Sequence, residues 1–133
     1  MLYYVKLYAA TFVGFLAIDI VWLALVARSF YKSQLGFLLS DQPNWWAAIV
    51  FYMLFIAGLL VFVIVPAVEA NSLRKALLLG ALFGLVTYAT YDLTNQATVK
   101  DWPWILTLVD MTWGAVLATS VSCLGYLVGR WLG

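Results

Sequence analysis

Four long apolar stretches separated by polar breaks organise the chain: Leu7 to Ala27, Trp45 to Pro66, Ala76 to Ala97 and Trp104 to Val128. Each meets or slightly exceeds the ~20 residues with which an α-helix crosses ~30 Å of hydrocarbon. Runs this continuous fit helices and not the alternating strands of a barrel, because a helix pairs every backbone N–H and C=O within its own segment. The pattern predicts an all-α membrane protein, a four-transmembrane-helix bundle forming a single integral membrane domain over residues 1–133. The first run is too long for the apolar core of a cleaved signal peptide and carries an acid, so it is expected to stay in the bundle.

The breaks refine this layout. Pro43 and Pro103 stand just ahead of the second and fourth helices, and Pro66 with Glu69 and Asn71 is expected to end the second. A tight hairpin should join helices three and four. The first connection, Arg28 to Asn44, is itself partly apolar and is expected to lie along the interface as a short amphipathic turn of helix. Tyr3, Tyr4, Trp45, Trp46, Trp102, Trp104 and Trp131 sit at the ends of the runs, where aromatic belts form. Lys6, Arg74, Lys75 and Arg130 lie on the side of the termini, against Arg28, Lys32 and Lys100 opposite. That bias places the termini in the cytoplasm.

Composition narrows the chemistry. The chain is 66% hydrophobic and 10% charged, against about 25% charged residues in soluble domains. Its net charge of +1 and scattered cations give no surface for nucleic acid. The single Cys123 permits no internal disulfide. Without histidine, His-ligated haem and most zinc or copper sites are excluded, and no lysine lies within a helix to carry retinal. No cofactor is expected.

The only charges inside the four runs are Asp19, Asp92 and Asp110. Asp19 precedes Arg28 by nine residues, Asp92 precedes Lys100 by eight, and Asp110 follows Asp101 by nine. At 1.5 Å per residue, all three lie about 12–14 Å below the same polar surface. An ionised carboxylate at that depth costs about 2.5–3.5 kcal/mol, so such residues face a bundle interior and mark a site. Helical spacing gathers Phe12, Phe15, Trp22 and Val26 around Asp19, and Tyr88, Asn95 and Gln96 around Asp92. Thr107, Trp113 and Gly114 share the face of Asp110, so Asp-x-x-Trp occurs twice. With no base at this depth, the cluster should hold a proton or a cation, with the two indole faces available to an organic cation.

The candidate ligand-binding residues are therefore Asp19, Trp22, Tyr88, Asp92, Asn95, Asp110 and Trp113. Convergence of the three acids requires helix one to pack against both three and four, leaving the apolar helix two peripheral. Thr87, Thr94, Thr107 and Thr112 read as interhelical glue, and Gly80, Gly84, Gly114 and Gly125 as close-packing positions.

The segment Tyr91-Asp92-Leu93-Thr94-Asn95, followed by Lys100-Asp101-Trp102-Pro103 and by Asp110-x-x-Trp113-Gly114, resembles a family of bacterial four-helix inner-membrane proteins catalogued as domain of unknown function 2177. The first helix, with Asp19-x-x-Trp22, fits the same pattern. The resemblance implies a multi-pass location in the bacterial inner membrane and carries no activity with it. Small multidrug-resistance transporters and lipoprotein signal peptidases are similar only in size or in acid placement, and the asparagine-rich motifs of the peptidases are missing. Three readings of the residues remain. The first is a proton-coupled site for a small cation or polar substrate, in a homodimer that transports it. The second is a carboxylate enzyme acting on a lipid or lipid-linked substrate, with a divalent ion held by the acids and Asn95. The third is a non-catalytic subunit of a membrane complex.

Overall fold

A computed structural model describes residues 1–133. Four helices, α1 (Leu2–Leu35), α2 (Trp45–Glu69), α3 (Leu73–Thr98) and α4 (Trp104–Leu132), are each long and apolar enough to cross a membrane. Their outward surface suits lipid: Val13, Leu54, Leu82 and Leu108 are all more than half exposed, an apolar display that a water-facing surface does not carry at this density.

The helix ends follow from local chemistry. The Asn44 side chain accepts the Ala47 N–H at 3.1 Å and opens α2, and the Ser72 hydroxyl accepts the Lys75 N–H at 3.0 Å and opens α3. α2 ends at Glu69 ahead of Asn71, within the stop expected from Pro66, Glu69 and Asn71, but the helix runs through Pro66 itself. A π-helical turn at Leu60–Ile64 lies immediately upstream, where widening the helix relieves the clash of the proline ring with the preceding turn. The true stop is a Schellman motif. Asn71 takes φ 53°, and the Asn71 and Ser72 N–H groups donate to the carbonyls of Val68 and Ala67 at 3.0 Å.

α1 departs most from the expected layout. It continues through Arg28 and Lys32 to Leu35, so the first part of the segment read as an interfacial connection extends the spanning helix. Its 34 residues span about 50 Å, which carries the last turns beyond the hydrocarbon. A π-helical turn at Leu23–Ala27 interrupts it, and this changes the facing of everything downstream. Tyr31 follows Asp19 by twelve residues, and at ~100° per residue an unbroken helix sets the two about 120° apart. The one-residue insertion of a π-turn removes most of that difference. Ala27 and Leu35 are buried on the continued inner face, whereas Val26, expected to share the face of Asp19, is 38% exposed.

α3 and α4 pack along each other at close range. A Cβ on Gly84 would stand 2.1 Å from the Gly114 carbonyl, and one on Gly80 would stand 2.6 Å from the Ser122 hydroxyl. The turn between these helices is closed by side chains. Gln96 donates to the Trp102 carbonyl at 2.8 Å, and Thr107 accepts the Trp102 indole N–H at 3.1 Å while donating to Gln96 at 2.8 Å. Thr107 is interhelical glue as expected, but Trp102 is buried and not a belt residue. The hydroxyls of Thr87, Thr94 and Thr112 bond back to carbonyls of their own helices, so they join no two helices.

The expected arrangement of the other helices is corrected in two respects. α4 lies between α1 and α3, which share no extensive packing, and α1 packs along α4 and α2. α2 is central: Phe55, Ile56, Leu59, Val63 and Ile64 form one core cluster with Leu7, Phe15, Leu117 and Val121. Hydropathy cannot separate a helix surrounded by protein from one surrounded by lipid, because both environments accept the same side chains.

Candidate functional site

Asp92, Asp110 and Asp19 are 0%, 7% and 8% exposed, so all three carboxyls are turned into the bundle. Asp110 on α4 occupies the middle. It is the neighbour of Asp92 of α3, and it lines one cavity together with Asp19 of α1. The close helix contact at Gly84 and Gly114 holds α3 near enough for Asp92 to meet Asp110 across the interface. The same small residue admits Tyr88, whose ring passes directly over Gly114.

The three acids differ in their partners. Asp110 accepts a hydrogen bond from the Tyr31 hydroxyl, a contact made possible by the π-turn in α1. Neither oxygen of Asp92 has a donor, and the group in front of it, the Asp110 carboxyl, is also an acceptor. Two such groups can bond only through a proton held between them. Asp19 lies beside Tyr52 and the Trp113 indole, but the Trp113 N–H is buried without a partner in bonding geometry.

Two cavities meet at Asp110. The smaller, about 240 Å³, is lined by Asp19, Trp22, Tyr52, Tyr88, Asp110 and Trp113 among others. The larger, about 510 Å³, runs from Asp110 and Tyr31 past Phe51, Thr87 and Tyr88 to Tyr91 and Leu39. Tyr31, Phe51, Tyr88 and Asp110 line both. Five of the seven residues predicted from spacing, Asp19, Trp22, Tyr88, Asp110 and Trp113, thus surround one cavity. Asp92 stands behind Asp110.

Asn95 is not brought in. It is half-buried, lines neither of these cavities, and belongs to a face of α3 that turns partly outward with Tyr91 and Thr94. The indole faces are not both free either. Trp22 and Trp113 stack on each other with centroids 4.3 Å apart and planes 6° apart, so each of the two Asp-x-x-Trp motifs uses its ring to close the other. The stacked pair forms a wall between the acid-lined cavity and a lipid-facing hollow bordered by Leu108, Thr112 and Val116.

Spacing missed Tyr31 and Tyr52. Tyr52 sits seven residues after Trp45 in a helix whose one acid, Glu69, is at its far end, and no rule of periodicity singles it out. Tyr31 was legible only as an aromatic in the first connection.

Inward carboxyl side chains, outward aliphatics and four helices long and apolar enough to span define a polytopic membrane protein with three buried aspartates. The chain belongs to the family described as predicted membrane protein, DUF2177, whose profile matches residues 4–127. No curated protein and no solved structure matches it.

Proposed function

We propose that this protein is a proton-coupled binding and transport protein of the bacterial inner membrane, in which Asp92 and Asp110 hold one proton between them and exchange it for a small cation. The observation that carries this reading is the donor-free carboxyl of Asp92, fully buried and opposed to a second carboxyl. A buried acceptor pair with no base beside it stays in place only when a proton or cation joins it. Asp19, across the smaller cavity from Asp110, provides the second position to which the cation passes. Burial of all three acids inside one bundle supports a binding site over an interface for a partner subunit, whose basic helix would have to reach them from outside.

The small excess of cations on the side of the termini supports cytoplasmic termini. A homodimer is supported by the outward polar stripe of α3, Thr90, Thr94, Thr98 and the unbonded side chain of Asn95, and by the narrow interior of a single four-helix unit. Infrared difference spectroscopy of the reconstituted protein tests the shared proton. A protonated-carboxyl C=O band should be present without added cation, diminish on adding a cation, and vanish in both Asp92→Asn and Asp110→Asn. A band unchanged in both variants sinks the reading.

A further inference from the structure

The larger cavity is not needed for a proton or a bare cation. Its volume of about 510 Å³ falls in the range of about 300–1,000 Å³ typical of sites for organic molecules. Seven of its nine lining residues are hydrophobic, and its outer rim, formed by Leu39, Phe51 and Tyr91, is close to half exposed. Its inner end is the Asp110 carboxyl with the Tyr31 hydroxyl bonded to it. The shape is that of a pocket with an apolar body and one acidic end, open at that rim.

From this geometry we infer that the cavity takes a membrane-soluble organic amine, its apolar body between Phe51, Thr87 and Tyr91 and its ammonium group at Asp110. The inference rests on the cation-exchange reading above and names the class of cation exchanged. Charge complementarity selects the head group. The lining holds an acid and no base, so an anionic head meets repulsion, and a neutral hydroxyl gains only the hydrogen bond that Tyr31 already makes. An ammonium gains the charge-assisted bond to Asp110 and the faces of the surrounding aromatic rings. A phospholipid amine does not fit, because its phosphate approaches the same acids and two acyl chains exceed the volume. The ammonium replaces the shared proton as the positive charge at Asp110 and the released proton passes to water, so binding at this cavity and loss of the shared proton from the acid pair are one event.

The test uses the full chain in lipid nanodiscs and three photoreactive probes with the same diazirine-bearing dodecyl chain, ending in an amine, an alcohol or a carboxylate. Crosslinked positions are mapped by peptide mass spectrometry, so that partition into lipid is not mistaken for binding. The amine should label the segments around Leu39 and Thr87–Tyr91 at least about tenfold more than the other two probes, the difference expected of one charge-assisted contact. Labelling should fall to the alcohol's level in Asp110→Asn and in Thr87→Phe, which fills the cavity without touching a carboxyl. Leu39→Trp, on the exposed rim, is the second filling variant should Thr87→Phe fold poorly. Equal labelling by the three heads, or amine labelling that survives both filling variants, overturns the inference. The infrared band separates this failure from a deeper one: if Thr87→Phe retains the band while the amine never labels, only the organic-amine assignment falls. A band unaffected by Asp92→Asn and Asp110→Asn removes the exchange reading and this inference with it.

Discussion

Gly114→Ala should be among the most damaging single-methyl additions to this protein. A Cβ at Gly114 would stand 2.3, 2.5 and 2.7 Å from Cγ, Cδ1 and Cβ of Tyr88, where ordinary contact begins at 3.4 Å. The clash includes the Tyr88 Cβ, which is fixed to the backbone of α3, so no ring rotation relieves it and α3 must move away from α4 by close to an ångström. Overpacking of this kind costs about 1–3 kcal/mol, and we expect the upper half of that range because the neighbouring Gly84–Gly114 contact opens with it. Gly14→Ala is the internal control. There the new methyl meets only the Cδ2 of Leu124 at 2.0 Å, with Cγ already at 3.5 Å, so a rotamer change of one flexible side chain accommodates it for about 1 kcal/mol or less. Reversible SDS unfolding in mixed micelles, followed by tryptophan fluorescence, gives both values. The same Gly114 variant should also weaken the infrared signature of the Asp92–Asp110 pair, because separating α3 from α4 draws the two carboxyls apart. Equal stability of Gly114→Ala and Gly14→Ala would refute the tight registration of α3 on α4 and the site geometry built on it.

Three further outcomes are expected. Tyr31→Phe removes the donor to Asp110 and should lower stability by about 1–2 kcal/mol; in a double-mutant cycle with Asp110→Ala, which removes the acceptor, the loss should be non-additive, and full additivity would show that the contact contributes nothing. Trp22→Leu breaks the stacked pair with Trp113 and should cost about 0.5–1.5 kcal/mol beyond its lost contact area, accompanied by loss of the near-ultraviolet exciton circular dichroism of the pair; an unchanged spectrum argues against the stack. Gln96→Leu leaves the Trp102 carbonyl without its side-chain donor and the Thr107 hydroxyl without its acceptor and should destabilise by about 1–2 kcal/mol, with faster amide exchange confined to Val99–Pro103 and the adjoining turns; protection unchanged there would mean the hairpin is held by other contacts.

Much of the fold is legible in the residue order. Run lengths alone define four spanning helices, since backbone groups in lipid leave no alternative, and the spacing within each run assigns Asp92 with Tyr88, and Asp110 with Thr107 and Gly114, to common faces. Those face assignments hold in α3 and α4, which are regular helices to their ends. They fail in α1 beyond Trp22, because counting at a constant angle assumes a constant helix, and the π-turn at Leu23–Ala27 adds a residue that no composition rule announces. Tyr31 consequently bonds to Asp110 and lines the acid-lined cavity in the structure, and is a connection residue in the sequence.

The tertiary structure alone decided how the faces meet. It placed α4 between α1 and α3, drew the apolar α2 into the core, spent one face of Trp22 and one of Trp113 on each other, and left Asn95 outside. The physical reason is that hydropathy records only what lipid tolerates, and lipid tolerates a core-facing leucine and a lipid-facing one alike. Neighbours are chosen by shape: the small residues Gly80, Gly84, Ala118 and Ser122 allow α3 and α4 to approach closely, and that approach brings a second carboxyl to Asp110. The acids and their heights along the helices were thus written in the sequence, while their pairing follows from the absence of side chains at the helix contact.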